Sequence, residues 1–165
     1  MSIKSPAEST HCHVALRAGF ATSGEPVFET LPARALGPDT YELTGSPGMV
    51  EGCAAGDLLK IDVDGLFQIE RRGPNLCIQA FGEPPCAAES LGPLISAFAA
   101  LGGLVEAPAD RRFIVVTVPV TAGFPAVEAV METWAAGASL LVEWGFSNVF
   151  GLDGEPLNWW QESEA

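Results

Sequence analysis

The second half of the chain carries the feature that most limits its fold, a repeated change between strand-like and helix-like apolar patterns. Residues 76–81 have the length and composition of a strand. Residues 87–101 then repeat apolar side chains at helical spacing until Gly102-Gly103 ends the segment. Pro93 lies within this segment and also suits the first turn of a shorter helix. The pattern predicts a strand followed by a helix that begins near residue 87 or near Pro93.

The same alternation is repeated in the residues that follow. Strand-like runs at 104–107 and 113–118 precede a helix that Pro125 can open and that Gly137 ends, and residues 140–146 form a last strand. The apolar stripe of this second helix consists of Val127, Val130, Met131 and Trp134. The order strand, helix, strand, strand, helix, strand is the ferredoxin-like pattern, in which four antiparallel strands carry both helices on one face.

The first 72 residues contain short strand-like runs separated by turn residues. These runs lie at residues 11–18, 27–35, 40–44, 58–63 and 66–71. The last two flank Asp64-Gly65, a pair that is typical of tight hairpins because both central residues need positive φ. Both faces of the strand at 113–118 are apolar, so the sheet face that the helices leave open needs a cover. We therefore expect an α+β fold in which a small antiparallel β unit packs on the C-terminal sheet.

This expectation divides the chain into three parts: an N-terminal β unit at residues 1–72, a ferredoxin-like unit at residues 73–150 and an acidic tail with two tryptophans at residues 151–165.

Charge is the strongest compositional constraint on function. The chain has 8 Lys and Arg against 21 Asp and Glu, a formal net charge of −13, and no basic residue follows Arg112. This balance argues against a protein that neutralises nucleic-acid phosphates and against one that binds an anionic membrane. RNA-recognition modules share the ferredoxin-like order, but they need basic and aromatic residues on a central strand, and residues 113–118 contain no basic one.

The sequence points to a cytoplasmic protein with reduced thiols. No signal peptide is visible at the N-terminus, and the longest strongly apolar run, residues 113–120, is far shorter than a bilayer span. The four cysteines show neither a CxxC pair nor zinc-binding spacing. Small buried free thiols are therefore expected.

Two clusters carry residue types that are used in catalysis or metal binding. In His11-Cys12-His13 the cysteine faces away from both imidazoles on a strand, which disfavours a Cys–His pair, and no third metal ligand is evident nearby. In the segment that starts with Asp62, Glu70 stands at the ninth position, whereas a calcium loop needs its bidentate glutamate at the twelfth. A polar strand and a hairpin are the favoured interpretations. We predict no catalytic residue, no cofactor and no metal, with a metal at His11 and His13 left open.

A resemblance to a known family is carried by the order and spacing of four segments. These are Gly56-Asp57-Leu58-Leu59-Lys60, Leu101-Gly102-Gly103-Leu104-Val105-Glu106, Val116-Thr117-Val118-Pro119 and Leu141-Val142-Glu143-Trp144-Gly145. Between Leu31 and Phe150 the chain resembles an uncharacterised bacterial family of small stand-alone proteins, described as a domain of unknown function. Ser46-Pro47-Gly48-Met49 departs from the aromatic Pro-Phe segment of that family. The resemblance implies a bacterial cytoplasmic protein and the fold, and it implies no activity.

These observations favour binding over catalysis. We expect an immunity protein, an acidic inhibitor that covers the basic active-site surface of a cognate toxin domain, because negative charge speeds association with a basic partner. The expected partner contacts are Glu128, Glu132, Glu143, Asp153, Glu155, Trp159 and Trp160. The two tryptophans have an alternative role, which is to pack into a groove of their own domain. The alternative function is a small-ligand regulatory module of ferredoxin-like fold, and an enzyme that uses carboxylates or cysteine ranks last.

Overall fold

The computed structural model describes residues 10–137 and 141–162. The first half of the chain forms a five-stranded antiparallel sheet in which strands adjacent in sequence are also adjacent in space. Its strands are β1 (Thr10–Phe20), β2 (Pro26–Ala35), β3 (Thr40–Leu43), β4 (Leu58–Ile61) and β5 (Phe67–Arg71). On β1, Val14 and Leu16 are buried while His13 and Ala15 are exposed. This alternation is the one that the sequence pattern predicts.

The second half forms a separate four-stranded antiparallel sheet with helices between its strands. Its elements are β6 (Asn75–Glu83), α1 (Ala88–Ala99), β7 (Leu104–Glu106), β8 (Ile114–Pro119), α2 (Phe124–Gly137), β9 (Leu141–Phe146) and the short α3 (Trp159–Glu162). The spatial order of the strands is β7-β8-β6-β9. The chain thus has a mixed α and β fold with two antiparallel sheets, which confirms the predicted class at that level.

Helix α1 runs through Pro93, so the shorter helix beginning at that proline is not the one formed. The turn before the proline is held by Ser90, whose N–H and hydroxyl both donate to the carbonyl of Ala87. Leu94 and Phe98 are buried on the sheet side of the helix. Their burial compensates for the one backbone hydrogen bond that a proline within a helix removes.

The main core lies between the two long helices and one face of the C-terminal sheet. Its buried side chains come from alternate positions of β6 and β8 and from one face of each helix: Leu76, Ile78, Ala80, Ile114, Val116, Val118, Leu94, Phe98, Val127 and Met131. The period-two and helical patterns of the sequence are therefore both used on this face.

The opposite face of the C-terminal sheet is covered by the loop between β3 and β4. The side-chain amide of Gln79 donates to the carbonyls of Pro47 (3.1 Å) and Val50 (2.8 Å). Thr117 Oγ1 donates to Ser46 Oγ over 2.6 Å. Gly48 approaches the sheet so closely that a Cβ there would overlap the Phe113 ring. The expected cover is present, but a loop supplies it, not the strands of the N-terminal sheet.

Within the described residues, no helix is both long enough and apolar enough to cross a bilayer.

Candidate functional site

The acidic residues of α2 lie on the helical side of the C-terminal sheet. Glu132 is exposed and Glu128, one turn earlier, is half-buried. At 3.6 residues per turn, both lie on the side of α2 opposite Val130, which lines a groove shared with α1. The pair is therefore an acidic stripe along the flank of the helix layer.

The other predicted acidic contacts lie elsewhere. Glu143 on β9 is exposed, and its neighbour Trp144 packs on the core under the helices. Since successive strand residues face opposite ways, Glu143 points to the side away from α2. Asp153 and Glu155 are exposed in the turn after β9, where the N–H of Gly151 donates to the carbonyl of Glu155. The structure therefore does not bring the five predicted carboxylates into one patch.

The two tryptophans pack into the chain itself. Trp159 is buried, with 8% of its surface exposed, and its indole N–H donates to the carbonyl of Asn148 over 2.8 Å. Trp160 is half-buried, and its ring lies 5.1 Å from that of Phe124. Trp159 is thus a core residue that closes the end of the C-terminal unit and does not offer its ring to a partner, whereas Trp160 keeps a partly exposed ring.

A groove that the sequence did not reveal lies beside Glu143. It has a volume of about 220 Å³ and is lined by Glu51, Gln79, Phe81, Glu143, Trp144, Gly145, Phe146 and Ser147. Glu51 comes from the loop between β3 and β4, 92 positions before Glu143. Phe81 is directly opposite Glu143 on the neighbouring strand and is 45% exposed. The groove combines two exposed carboxylates with an aromatic surface, and none of the residues lining it in the described part of the chain is basic.

Asp57 is a buried carboxylate at the seam between the two sheets. Its oxygens accept the N–H groups of Ala54 (2.9 Å) and Gly73 (2.7 Å), and Arg72 Nη1 lies 3.5 Å away. Arg72 also donates to the carbonyl of Gly52 over 2.8 Å. Burial raises the pKa of Asp57, while the two N–H groups and Arg72 act in the opposite direction. This network ties the loop between β3 and β4 to the start of β6, so the carboxylate is structural.

Glu29 is a second buried carboxylate that holds the loop between β3 and β4. Its carboxylate accepts three successive backbone N–H groups, from Gly48 (2.7 Å), Met49 (3.0 Å) and Val50 (3.0 Å). Only 9% of the residue is exposed. A carboxylate that receives three N–H groups fixes the conformation of a loop segment that has no regular structure. Glu29 therefore shapes the cover of the C-terminal sheet.

Two buried thiols belong to this region: Cys77 lies on β6 beneath the cover, and Cys53 is part of the covering loop and packs against the core of the N-terminal sheet. Cys53 and Cys77 are both fully buried, and the Cys77 Sγ–H donates to the carbonyl of Pro47. Burial raises the pKa of the Cys77 thiol to about 12, and burial followed by the nearby Asp57 raises that of Cys53 still further from its ordinary value. Neither thiol is a nucleophile near neutral pH, because the thiolate is the reactive form.

These thiols predict a loss of stability in alkaline solution. Above pH 9 the unfolded chain releases both protons while the folded chain keeps them, so stability falls as pH rises towards 12. The expected loss is about 1.4 kcal/mol per pH unit for each thiol. Urea denaturation of the wild type and of the Cys53→Ala, Cys77→Ala double variant between pH 8 and 11 measures the difference. Parallel pH profiles for the two proteins would contradict the assignment.

The histidine cluster and the Asp62 segment have the structures that the sequence favoured. His11 and His13 are exposed on one face of β1, and Arg34, opposite His11, forms an ion pair with Glu42. Asp62 accepts the N–H groups of Asp64 and Leu66 within the β4–β5 hairpin. Among residues 10–137 and 141–162, no three His, Cys, Asp or Glu side chains are grouped to hold a metal ion.

A second groove lies between α1 and α2 on the outer surface of the helix layer. Its volume is about 540 Å³, and its lining is Ser90, Pro93, Leu94, Ala129, Val130, Thr133, Trp134 and Gly137. The indole N–H of Trp134 is occupied by the carbonyl of Ser90 at 2.9 Å. The groove is therefore largely apolar, and no charged side chain is found among the described residues that line it.

Comparison with models of protein families shows which family the chain belongs to. The family model described as "Domain of unknown function (DUF4265)" matches residues 29–141, more than half of the chain. The chain belongs to this family. The resemblance to an uncharacterised family is thereby confirmed, although the matched range ends before Phe150, where the resemblance ends. Comparison with curated proteins gives no match.

A solved structure extends the comparison for this DUF4265 chain. A hypothetical protein from Neisseria gonorrhoeae is similar to it with a TM-score of 0.58 at 12% sequence identity. The similarity covers 84% of this chain and 94% of the other. At that identity the likeness concerns the fold alone. The DUF4265 match includes Glu51, Glu128 and Glu132, whereas Glu143 and the turn after β9 lie beyond it.

Proposed function

We propose that this chain is an acidic protein-binding inhibitor, an immunity protein that neutralises a cognate bacterial toxin by covering its basic active-site surface. The observation that carries the proposal is the charge of the chain after Arg112, where seven acidic residues and no basic one are found. Glu132, Glu143 and Glu155 are exposed members of this set. Fixed negative charge on a folded surface speeds the approach of a basic partner and complements it after contact.

The use of the buried ionisable groups supports a function without covalent chemistry. The carboxylates of Asp57 and Glu29 accept backbone N–H groups, and the guanidinium of Arg72 contacts Asp57 and donates to the carbonyl of Gly52. Cys53 and Cys77 are buried as thiols. We propose that the chain is not an enzyme and acts through its exposed acidic residues.

We also propose a ferredoxin-like C-terminal unit and a cytoplasmic location. In the C-terminal sheet, the second, third, first and fourth strands lie side by side in that order, and a helix follows the first and the third. This order supports the ferredoxin-like assignment. All four cysteines are free, which is typical of a reducing compartment.

The groove between α1 and α2 favours a second candidate function, a small-ligand regulatory module. Its volume of about 540 Å³ and its apolar lining suit an uncharged, largely apolar molecule. Thermal unfolding in the presence of a library of such molecules would favour this function if one of them raised Tm and Thr133→Trp removed the effect.

The proposed inhibitor is tested by capture of its partner from the native host at low ionic strength, followed by identification of the bound protein. We expect a basic protein that is released as salt is raised. The triple variant Glu132→Lys, Glu143→Lys, Glu155→Lys should capture at least tenfold less of it. A matched control carries Glu25→Lys, Asp64→Lys and Glu70→Lys, three reversals at exposed positions of the N-terminal half. Equal losses in both variants, or no loss in either, would overturn the proposal.

A further inference from the structure

Strand β9 is the edge of the C-terminal sheet, and in the described part of the chain it pairs only with β6. The N–H of Ser147 donates to Cys77, and the pairing continues through Gly145 and Gln79. Backbone alternation then turns the N–H and C=O groups of the even-numbered residues outward. These residues are Val142, Trp144 and Phe146. An edge with outward backbone groups is a template for the addition of another strand.

The acidic groove runs along this edge on the face that carries Glu143. Two exposed carboxylates from different elements, Glu51 and Glu143, line it together with the half-exposed ring of Phe81. The side-chain N–H groups of Gln79 already donate to the carbonyls of Pro47 and Val50, so the two carboxylates are the charged groups that the described lining offers to a partner. An arginine side chain satisfies both features, because its guanidinium pairs with carboxylates and stacks on aromatic faces.

We propose that β9 accepts an extended basic segment of the partner protein as an additional strand, with an arginine of that segment seated between Glu51 and Glu143 over Phe81. The inference deepens the proposed function, on which it rests for the identity of the partner. Main-chain hydrogen bonds to β9 provide affinity. The groove provides specificity, because it favours a cationic side chain at one position of the segment. The carboxylates of Glu51 and Glu143, the charged groups among the described residues of the lining, favour this occupant over an acidic or neutral strand.

Gly145 provides a way to block the groove without disturbing the fold. A Cβ at this position meets no atom within 4 Å, and its backbone is that of an ordinary strand residue. Valine is a better strand former than glycine, so Gly145→Val should leave the free chain at least as stable. The added side chain would project beside Glu143 into the space where the arginine is expected.

The experiment is a titration of the ¹⁵N-labelled full chain with a synthetic decapeptide of alternating arginine and valine. We expect saturable binding, with hydrogen exchange of the Val142, Trp144 and Phe146 amides slowed at least tenfold. A decapeptide of alternating arginine and proline has the same charge but lacks the backbone N–H donor at every second residue, on the edge that would pair with β9, and it should bind at least tenfold more weakly.

The variants locate the binding site. Glu51→Gln with Glu143→Gln should weaken peptide binding at least tenfold, and Gly145→Val should do the same at unchanged Tm. The matched pair Glu25→Gln with Glu70→Gln, at exposed positions of the N-terminal half, should change binding less than twofold.

Three outcomes would overturn the inference: no binding of the arginine–valine peptide, equal binding of the two peptides, or amide changes on α2 in place of β9. Each of them leaves the proposed inhibitor standing, because that function is judged by the partner captured from cells and by the lysine variants.

Discussion

Asp57→Ala is expected to lower the free energy of unfolding by about 3–5 kcal/mol, the cost of breaking a buried ion pair from one side. The replacement removes the acceptor for the N–H groups of Ala54 and Gly73 and leaves Arg72 without its carboxylate. Ala54 and Asp57 are fully buried, so water has little access to the N–H group of Ala54 after it loses its acceptor. Urea denaturation followed by tryptophan fluorescence measures the change.

Asp64→Ala is the matched control for this prediction. Asp64 is an exposed carboxylate in the β4–β5 hairpin, and its replacement should change stability by less than about 0.5 kcal/mol. A loss below about 1 kcal/mol for Asp57→Ala would mean that the seam is hydrated or that the network contributes little net stability.

Glu29→Ala is expected to cost about 2–4 kcal/mol, because it leaves three neighbouring backbone N–H groups without their acceptor. Those groups belong to Gly48, Met49 and Val50, in the loop that covers the C-terminal sheet. Loosening the loop should also expose Cys77 beneath it. We therefore expect a thiol reagent to modify Cys77 at least tenfold faster in the variant under native conditions.

Glu25→Ala is the matched control, because it removes an exposed carboxylate just before β2, the strand that contains Glu29. It should leave both stability and the rate of Cys77 modification unchanged. If Glu29→Ala lowered stability while Cys77 stayed protected, the loop would be held by contacts other than the three N–H groups. The proposed role of Glu29 would then be wrong.

The regular elements were largely predictable because each one is specified by its own residues. The apolar spacing around Leu94 and Phe98 placed α1, and the run from Phe113 placed β8. Asp64-Gly65 marked a hairpin that the structure contains. The boundaries were less certain, and Pro93 shows why: packing of Leu94 and Phe98 on the sheet outweighs the local preference of proline for a first turn.

The parts that depend on distant partners were not predictable. Glu29 and Gly48 are 19 positions apart, and nothing in either segment shows that one will accept the N–H of the other. The groove beside β9 joins Glu51 to Glu143 only after the β3–β4 loop has folded over the sheet. Pro47 and Ser46 of this loop contact Gln79 and Thr117 of the sheet, and the residues of the loop do not by themselves indicate this packing.

Among the candidate partner contacts, the residue types were predictable from the sequence, but their relative positions depend on distant contacts. Charge alone selected the acidic residues after Arg112, and it could not show that α2 and β9 present them on opposite sides of the sheet. The sequence offered two roles for Trp159, and its place in the core follows from contacts with Asn148 and Trp160 that are formed only in the folded chain.

The proposed function requires exposed acidic residues of the C-terminal half to recognise a basic partner protein. It is tested most directly by measuring the dissociation constant of the captured partner for the wild type and for the two lysine triple variants across a salt series. We expect the C-terminal triple variant to bind at least tenfold more weakly at low salt and to lose much of the salt dependence. The N-terminal triple variant, with the same change in net charge, should stay within about threefold of the wild type. Identical dissociation constants for the two variants at every salt concentration would contradict it.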